Sequence, residues 1–176
     1  MENYKDLLKL ARESIKSGLD GEKLNINEEI KKKYSRELAC FVTLTINSEL
    51  RGCIGSLEAH QELYLDVIEN ALNAAFNDPR FKPLDKSEFS KIRIEISILS
   101  EPKKLGIGED VFNKIDNKMG LILRKDFYTS TFLPQVWEQI LDKTEFLEQL
   151  SRKAGMGRED WKRATLWYYR VESVKE

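Results

Sequence analysis

The stretch Glu37–Leu57, ELACFVTLTINSELRGCIGSL, sets Cys40, Val42, Leu44 and Ile46 in alternation with Phe41, Thr43 and Thr45. Period-two alternation of this kind is the pattern of a half-buried strand. Asn47 and Ser48 are turn formers, and the run after them is again β-like, so the two halves read as an antiparallel hairpin. The register stays open. A two-residue loop sets Cys53 opposite Val42, whereas a three-residue loop sets it opposite Thr43, on the other face. Either register puts Arg51, Cys53 and Gly55 on one side.

Before the hairpin, Tyr4, Leu7, Leu8, Ala11 and Ile15 recur at helical spacing, which predicts a helix over 4–17 with Asn3 as cap and Gly18 at its end. Residues 19–37 carry scattered charge and the basic triplet Lys31–Lys33, and read as a solvated stretch without a definite element. After the hairpin, Tyr64, Val67, Ile68, Ala71 and Ala75 form one stripe of a helix over 62–77, which Asp78-Pro79 ends. Asp85 and Glu88 have the spacing of a capping box. Residues 91–100, KIRIEISILS, place Ile92, Ile94, Ile96 and Ile98 on one face of a strand and Arg93, Glu95 and Ser97 on the other. A short helical stretch near 109–114, two short strands (GLILR and YTSTFL), a break at Leu133-Pro134-Gln135 and a helix from Thr144 to Gly155 follow. The segment TLWYYRVES reads as one last strand. Mixed elements without strict βαβ alternation indicate an α+β fold with a largely antiparallel sheet flanked by helices.

Composition excludes several classes of function. The 176 residues hold 29 Lys plus Arg against 30 Asp plus Glu, so no general positive field draws in nucleic acid or anionic lipid. The longest apolar run, Leu38–Val42, falls far short of the ~20 residues of a membrane span. The opening MENYKDLLKL mixes acidic and basic residues unlike a signal peptide, and cytoplasmic residence is expected. Two cysteines without a CxxC pair suit a reducing compartment.

The candidate chemistry gathers around Leu50–Gly55. Glycine in a strand marks a bulge or a close approach by backbone or ligand, so one reading of Gly52 and Gly55 is a bulged hairpin arm with a buried cysteine. The other is a site. Arg51 presents a forked cation to a carboxylate, phosphate or carbonyl group, and Cys53 beside it acts as a thiolate nucleophile. A cysteine nucleophile needs a proton acceptor, for which the chain offers Glu95 or its single histidine, His60. The turn Asn77–Phe81 has two readings, punctuation after the helix with Phe81 as an anchor in the core, or a rigid turn that holds Asp78 and Arg80 where they line the same site. Cys40, Cys53 and His60 lack the spacing of zinc ligands, so no metal is expected, nor any cofactor. Trp161, Lys162, Arg163, Trp167, Tyr168, Tyr169 and Arg170 interleave aromatic and basic residues as a single-strand platform does, but the same period fits a half-buried strand.

In order along the chain, LRGCIG, NDPRF, IEISILSEP, TFLPQVW and SRKAG resemble the AMMECR-type domain family, named for the candidate gene of AMME syndrome and found in prokaryotes as protein A of the AmmeMemoRadiSam system. The resemblance covers almost the whole chain. It implies a single domain over 1–176, in which a larger part (1–100 plus 140–176) and a smaller part of short strands (101–139) enclose a cleft. Arg51, Gly52, Cys53, Gly55, Asp78 and Arg80 would frame that cleft from one side, and Leu133, Pro134 and Gln135 from the other. A Memo-like protein and a radical SAM protein are the implied partners. Many relatives carry a histidine just before the glycine that is Gly120 here, whereas this chain has Met119. The expected function is a small-ligand site with Arg51 and Cys53 at its centre; the alternative is a non-catalytic module that binds a partner segment, and nucleic-acid binding is the weakest reading.

Overall fold

The computed structural model describes residues 4–176. It divides into two units, residues up to Leu99 with Glu172–Glu176, and Ser100–Val171.

In the first unit, helix α1 (Lys5–Asp20) is followed by the short helix α2 (Glu28–Lys33), the hairpin strands β1 (Cys40–Ile46) and β2 (Glu49–Gly55), helix α3 (Leu63–Phe76) and strand β3 (Arg93–Leu99). The last strand of the chain, β8 (Val171–Lys175), completes a four-stranded sheet in the order β2-β1-β3-β8. One face of it is core. Val42, Leu44, Ile94 and Ile96 of the strands join Leu7, Ala11 and Ile15 of α1 and Val67, Ala71 and Ala74 of α3 in one buried cluster. The apolar faces expected for both helices and for the isoleucine strand are the faces that are buried.

The expected helix cap Asn3 lies outside the described residues. The first helix runs past Gly18, and the left-handed cap is Gly21 (φ 68°). The second helix, within a stretch expected to have none, is nucleated locally. The Asn27 side chain accepts from the Glu29 N–H, acidic residues fill the first turn and Lys31–Lys33 the last, matching the helix dipole. Two of the three lysines are paired, Lys31 with Glu28 and Lys33 with Asp6. Asn27→Ala is expected to lower stability by about 1 kcal/mol, read as a shift in the urea midpoint at unchanged slope.

In the second unit, β4 (Lys103–Ile107), α4 (Gly108–Val111), β5 (Gly120–Lys125), β6 (Tyr128–Phe132), α5 (Lys143–Lys153) and β7 (Thr165–Tyr169) build a second antiparallel sheet in the order β4-β7-β5-β6. Its core joins Leu121, Leu123 and Leu166 to Phe146, Leu147 and Leu150 of α5, with Trp137 and Trp161. Trp137 stacks on Phe146 at 3.7 Å between ring centroids and donates its indole N–H to the Met119 carbonyl. Met119 is buried in this core. Asp142, not Thr144, caps α5 by accepting from the Glu145 N–H.

Two expectations are corrected here. The expected final strand is two strands, β7 in the second sheet and β8 in the first, divided at Arg170. At the break, Ser100 N–H donates to the Arg170 carbonyl, Arg170 N–H donates to Ser100 Oγ, and the guanidinium pairs with Asp116. The region 140–171, expected with the larger part, packs instead on the second sheet, because Phe146, Leu147, Leu150 and Leu166 bury themselves there. The aromatic residues near the C-terminus are largely core: Trp161 and Tyr169 are buried, and Tyr168 packs against the second cluster.

Candidate functional site

The hairpin that carries LRGCIG combines features of both registers. Asn47 and Ser48 form a two-residue turn with φ of 53° and 68°, and Ile46 pairs with Glu49 and Thr45 with Leu50. A β-bulge then shifts the register, so that Leu44 pairs with Gly52 and Thr43 with Cys53. The extra residue is Arg51. A bulge re-aims the side chain it carries. Arg51 donates from Nε and Nη2 to the two carboxylate oxygens of Glu88, both at 2.8 Å, and from Nη2 to the Lys82 carbonyl. The same Glu88 carboxylate accepts the Asp85 N–H, while Asp85 Oδ1 accepts from the Ser87 and Glu88 N–H groups, as the capping-box spacing predicts. The Arg51 guanidinium holds the Glu88 carboxyl below its usual range. Arg51 is therefore occupied in an ion pair within the protein, not poised beside Cys53 as expected.

The cation that does reach Cys53 is Arg80. Strand β2 is an edge strand, so the outward backbone groups of Cys53 need partners from elsewhere. They find them in the Asn77–Phe81 turn. Cys53 N–H donates to Asp78 Oδ2 (2.9 Å), and Arg80 Nη2 donates to the Cys53 carbonyl (3.2 Å). Arg80 also donates from Nε and Nη2 to the Asp78 carboxylate, at 3.0 and 2.7 Å. The Asp78 side chain is only 2% exposed, whereas that of Arg80 is 54% exposed. The Arg80 guanidinium, helped by the Cys53 and Arg80 backbone N–H groups against the effect of burial, holds the Asp78 carboxyl well below the usual carboxylate range. Phe81, which one reading placed in the core, is half-buried, and its ring centre lies 5.6 Å from the guanidinium of Arg80 and 5.8 Å from that of Arg51.

Both glycines of the motif answer to close packing. A Cβ on Gly52 would lie 2.1 Å from the Ala74 carbonyl oxygen in α3, and one on Gly55 would lie 2.3 Å from the Phe41 ring. With Gly52 facing α3, Cys53 faces the opposite side of the sheet. Thr43 and Glu95 share that side, since they alternate with buried Val42, Leu44, Ile94 and Ile96. The pairings Cys53↔Thr43 and Thr43↔Glu95 set the three side chains in one row across β2, β1 and β3. Thr43 Oγ1 lies 3.2 Å from Cys53 Sγ. The sequence left the pairing of Cys53 open between Val42 and Thr43, and the bulge decides for Thr43.

Cys40 points the other way, into the core, and burial pushes its thiol well up. His60 is not brought to Cys53 either. Its Nδ1 faces the Glu58 carbonyl, and its Nε2 lies 3.8 Å from Asp66 and 3.9 Å from Glu69. Asp66, which sequence reasoning missed, is a buried anchor that accepts from Cys40 N–H, Ser56 Oγ and Asn70 Nδ2. Pro134, half-buried, and Gln135, exposed, open the 3-10 turn that follows β6 in the second unit. Among the described residues no group of three or more His, Cys, Asp or Glu is arranged to hold a metal ion, and no helix is long and apolar enough to cross a membrane.

Comparison with known proteins agrees across the length of the chain. The AMMECR1 family profile matches residues 8–174. A protein of Aquifex aeolicus is 36% identical over 169 residues, covering 91% of this chain and 85% of that protein. Protein NEQ441 of Nanoarchaeum equitans is 35% identical over 161 residues, 89% of each. The crystal structure of the uncharacterized protein PH0010 from Pyrococcus horikoshii superposes with a TM-score of 0.81 at 30% identity, over 98% of this chain and 90% of that one. The matched span takes in both sheets, the bulged hairpin and the turn that clamps it, and the chain belongs to the AMMECR1 family.

Proposed function

We propose that the protein binds a small anionic or carbonyl-bearing ligand on the face of the first sheet that carries Cys53, with Cys53 as a thiolate nucleophile. In this reading Arg80 takes the role expected of Arg51, and Glu95, two strands from Cys53 in the same row, takes the thiol proton through water. One observation carries it: Cys53 is half-buried on the sheet face away from the helices, with its backbone clamped at both polar groups by Asp78 and Arg80. A fixed backbone presents the sulfur in one place. A half-exposed guanidinium at the same residue favours negative charge there. Gly52 and Asp78 support the site by packing and by hydrogen bonds within the protein, and Arg51 is set apart from Arg80 by burial, its side chain being 13% exposed against 54%.

The test is the rate of alkylation of the folded protein as a function of pH, with Cys40 and Cys53 resolved by peptide mapping. Cys53 is expected to react readily at neutral pH, while Cys40 stays inert. A Cys53 as unreactive as Cys40 overturns the reading. A second reading, a module that binds a protein partner, then takes its place. It is favoured by Phe127, fully exposed at the β5–β6 turn beside the exposed Tyr128. The partners it names are the Memo-like and radical SAM proteins implied by the family resemblance.

A further inference from the structure

We propose that Thr43 is the positioning residue for Cys53, its hydroxyl holding the sulfur and donating a hydrogen bond to the thiolate. The inference rests on the reading of Cys53 as a thiolate. It starts from the bulge at Arg51, which moves Cys53 from the Val42 position to the Thr43 position and so sets a hydroxyl, rather than a buried valine, beside the sulfur. Both backbone polar groups of Cys53 turn outward, to Asp78 and Arg80. Cys53 and Thr43 thus form a non-hydrogen-bonded pair, the kind in which cross-strand side chains come closest. The Oγ1–Sγ distance of 3.2 Å is the result.

The chemistry follows from the hydroxyl's two roles. A threonine hydroxyl is both donor and acceptor, so it accepts from the S–H of the neutral thiol and, once that proton has passed through water to Glu95, turns to donate to the sulfur anion. A bond to the charged form is the stronger of the two, which favours the thiolate. Threonine is also stiff at χ1, so the hydroxyl stays aimed at the sulfur in a way that a freely rotating serine does less well. The charged groups set around this pair include Arg80 and Asp78, which hold the Cys53 backbone, and Glu95 of β3, paired with Thr43. Glu95 stands one strand beyond Thr43, so the negative charge it carries is a strand further from the sulfur than the hydroxyl is.

Alkylation–pH profiles of the wild type, Thr43→Val and Thr43→Ser test the assignment, with Cys40 as the internal control. Valine keeps the shape and removes the hydroxyl. Thr43→Val is expected to slow Cys53 alkylation about tenfold at neutral pH, with the rate at high pH preserved. Thr43→Ser is expected to restore most of the wild-type profile, which a packing role would not explain. A profile for Thr43→Val that superposes on a reactive wild type overturns the positioning role and leaves the thiolate reading intact. An inert Cys53 in the wild type overturns both. If Cys40 becomes reactive in the valine variant, showing a loosened core, Thr43→Ala replaces it in the same comparison.

Discussion

Gly52→Ala is expected to destabilise the protein by about 3 kcal/mol, at the upper end of the cost of overpacking a well-packed core. The added methyl would sit 2.1 Å from the carbonyl oxygen of Ala74 and 3.1 Å from its carbonyl carbon. A flexible side chain would swing away from such a contact. Ala74 cannot, because the obstructing atoms are main chain and Ala74 itself is 1% exposed in the last turns of α3. Relief requires moving α3 away from β2, and α3 is tied to the sheet through Ala71, Ala75 and the Asn70 amide, which donates to the Cys40 carbonyl. Urea unfolding gives the magnitude. Cys40 gives an independent readout, since a shifted α3 uncovers a thiol that is fully buried in the wild type. A variant with an unchanged midpoint would mean that α3 yields at little cost, and that Gly52 is set there by something other than packing.

The hairpin, the two long helices, the isoleucine strand and the hairpin of the second sheet were legible because each obeys a local period. What escaped obeys none. The bulge at Arg51 is written in no alternation, and it decides whether Val42 or Thr43 faces Cys53. Strand β4, KKLGI, is a short edge strand with two lysines and an irregularity before Gly106, so it reads as loop. The division of TLWYYRVES at Arg170 depends on Ser100 and Asp116, residues far away in sequence, while the apolar period runs on unbroken. The site divides in the same way. Asp78 and Arg80 were readable as a rigid turn, but the Cys53 backbone they hold lies 25 and 27 positions away. Arg51 was readable as a cation, and its occupation by Glu88 is a contact across 37 positions. Sequence periodicity reports which face is buried; it does not report which long-range partner has claimed a charge.

Asp78→Ala is expected to cost a similar ~3 kcal/mol, and to do so in a pH-dependent way. The carboxylate accepts from the Cys53 N–H, the Arg80 N–H and the Arg80 guanidinium while almost wholly buried. Arg80, half-exposed, can turn to water once its partner is gone, so most of the loss comes from the two backbone N–H groups and the space left behind. The sign of the pH effect follows from the depressed carboxyl. Folding favours the ionised form, so the wild type holds this contribution in full above the ordinary aspartate range near ~4 and loses it as pH falls towards the folded-state value. The variant has nothing there to titrate. Denaturant midpoints measured from pH 7 down to pH 3 are therefore expected to converge, the wild type falling more steeply below pH ~4 while the variant starts lower. Parallel curves would mean that the Asp78 carboxyl titrates alike in the folded and unfolded chain. The variant also separates the two roles of the turn. If Asp78 acts only through the β2 backbone, Cys53 alkylation changes through a more mobile strand and loses its sharp pH profile. If Arg80, released from Asp78, moves nearer to the sulfur, the profile shifts to lower pH while the protein is less stable. A lower stability accompanied by an easier thiolate would identify Asp78 as the group that balances the cation of the candidate site against the rigidity of the strand that carries it.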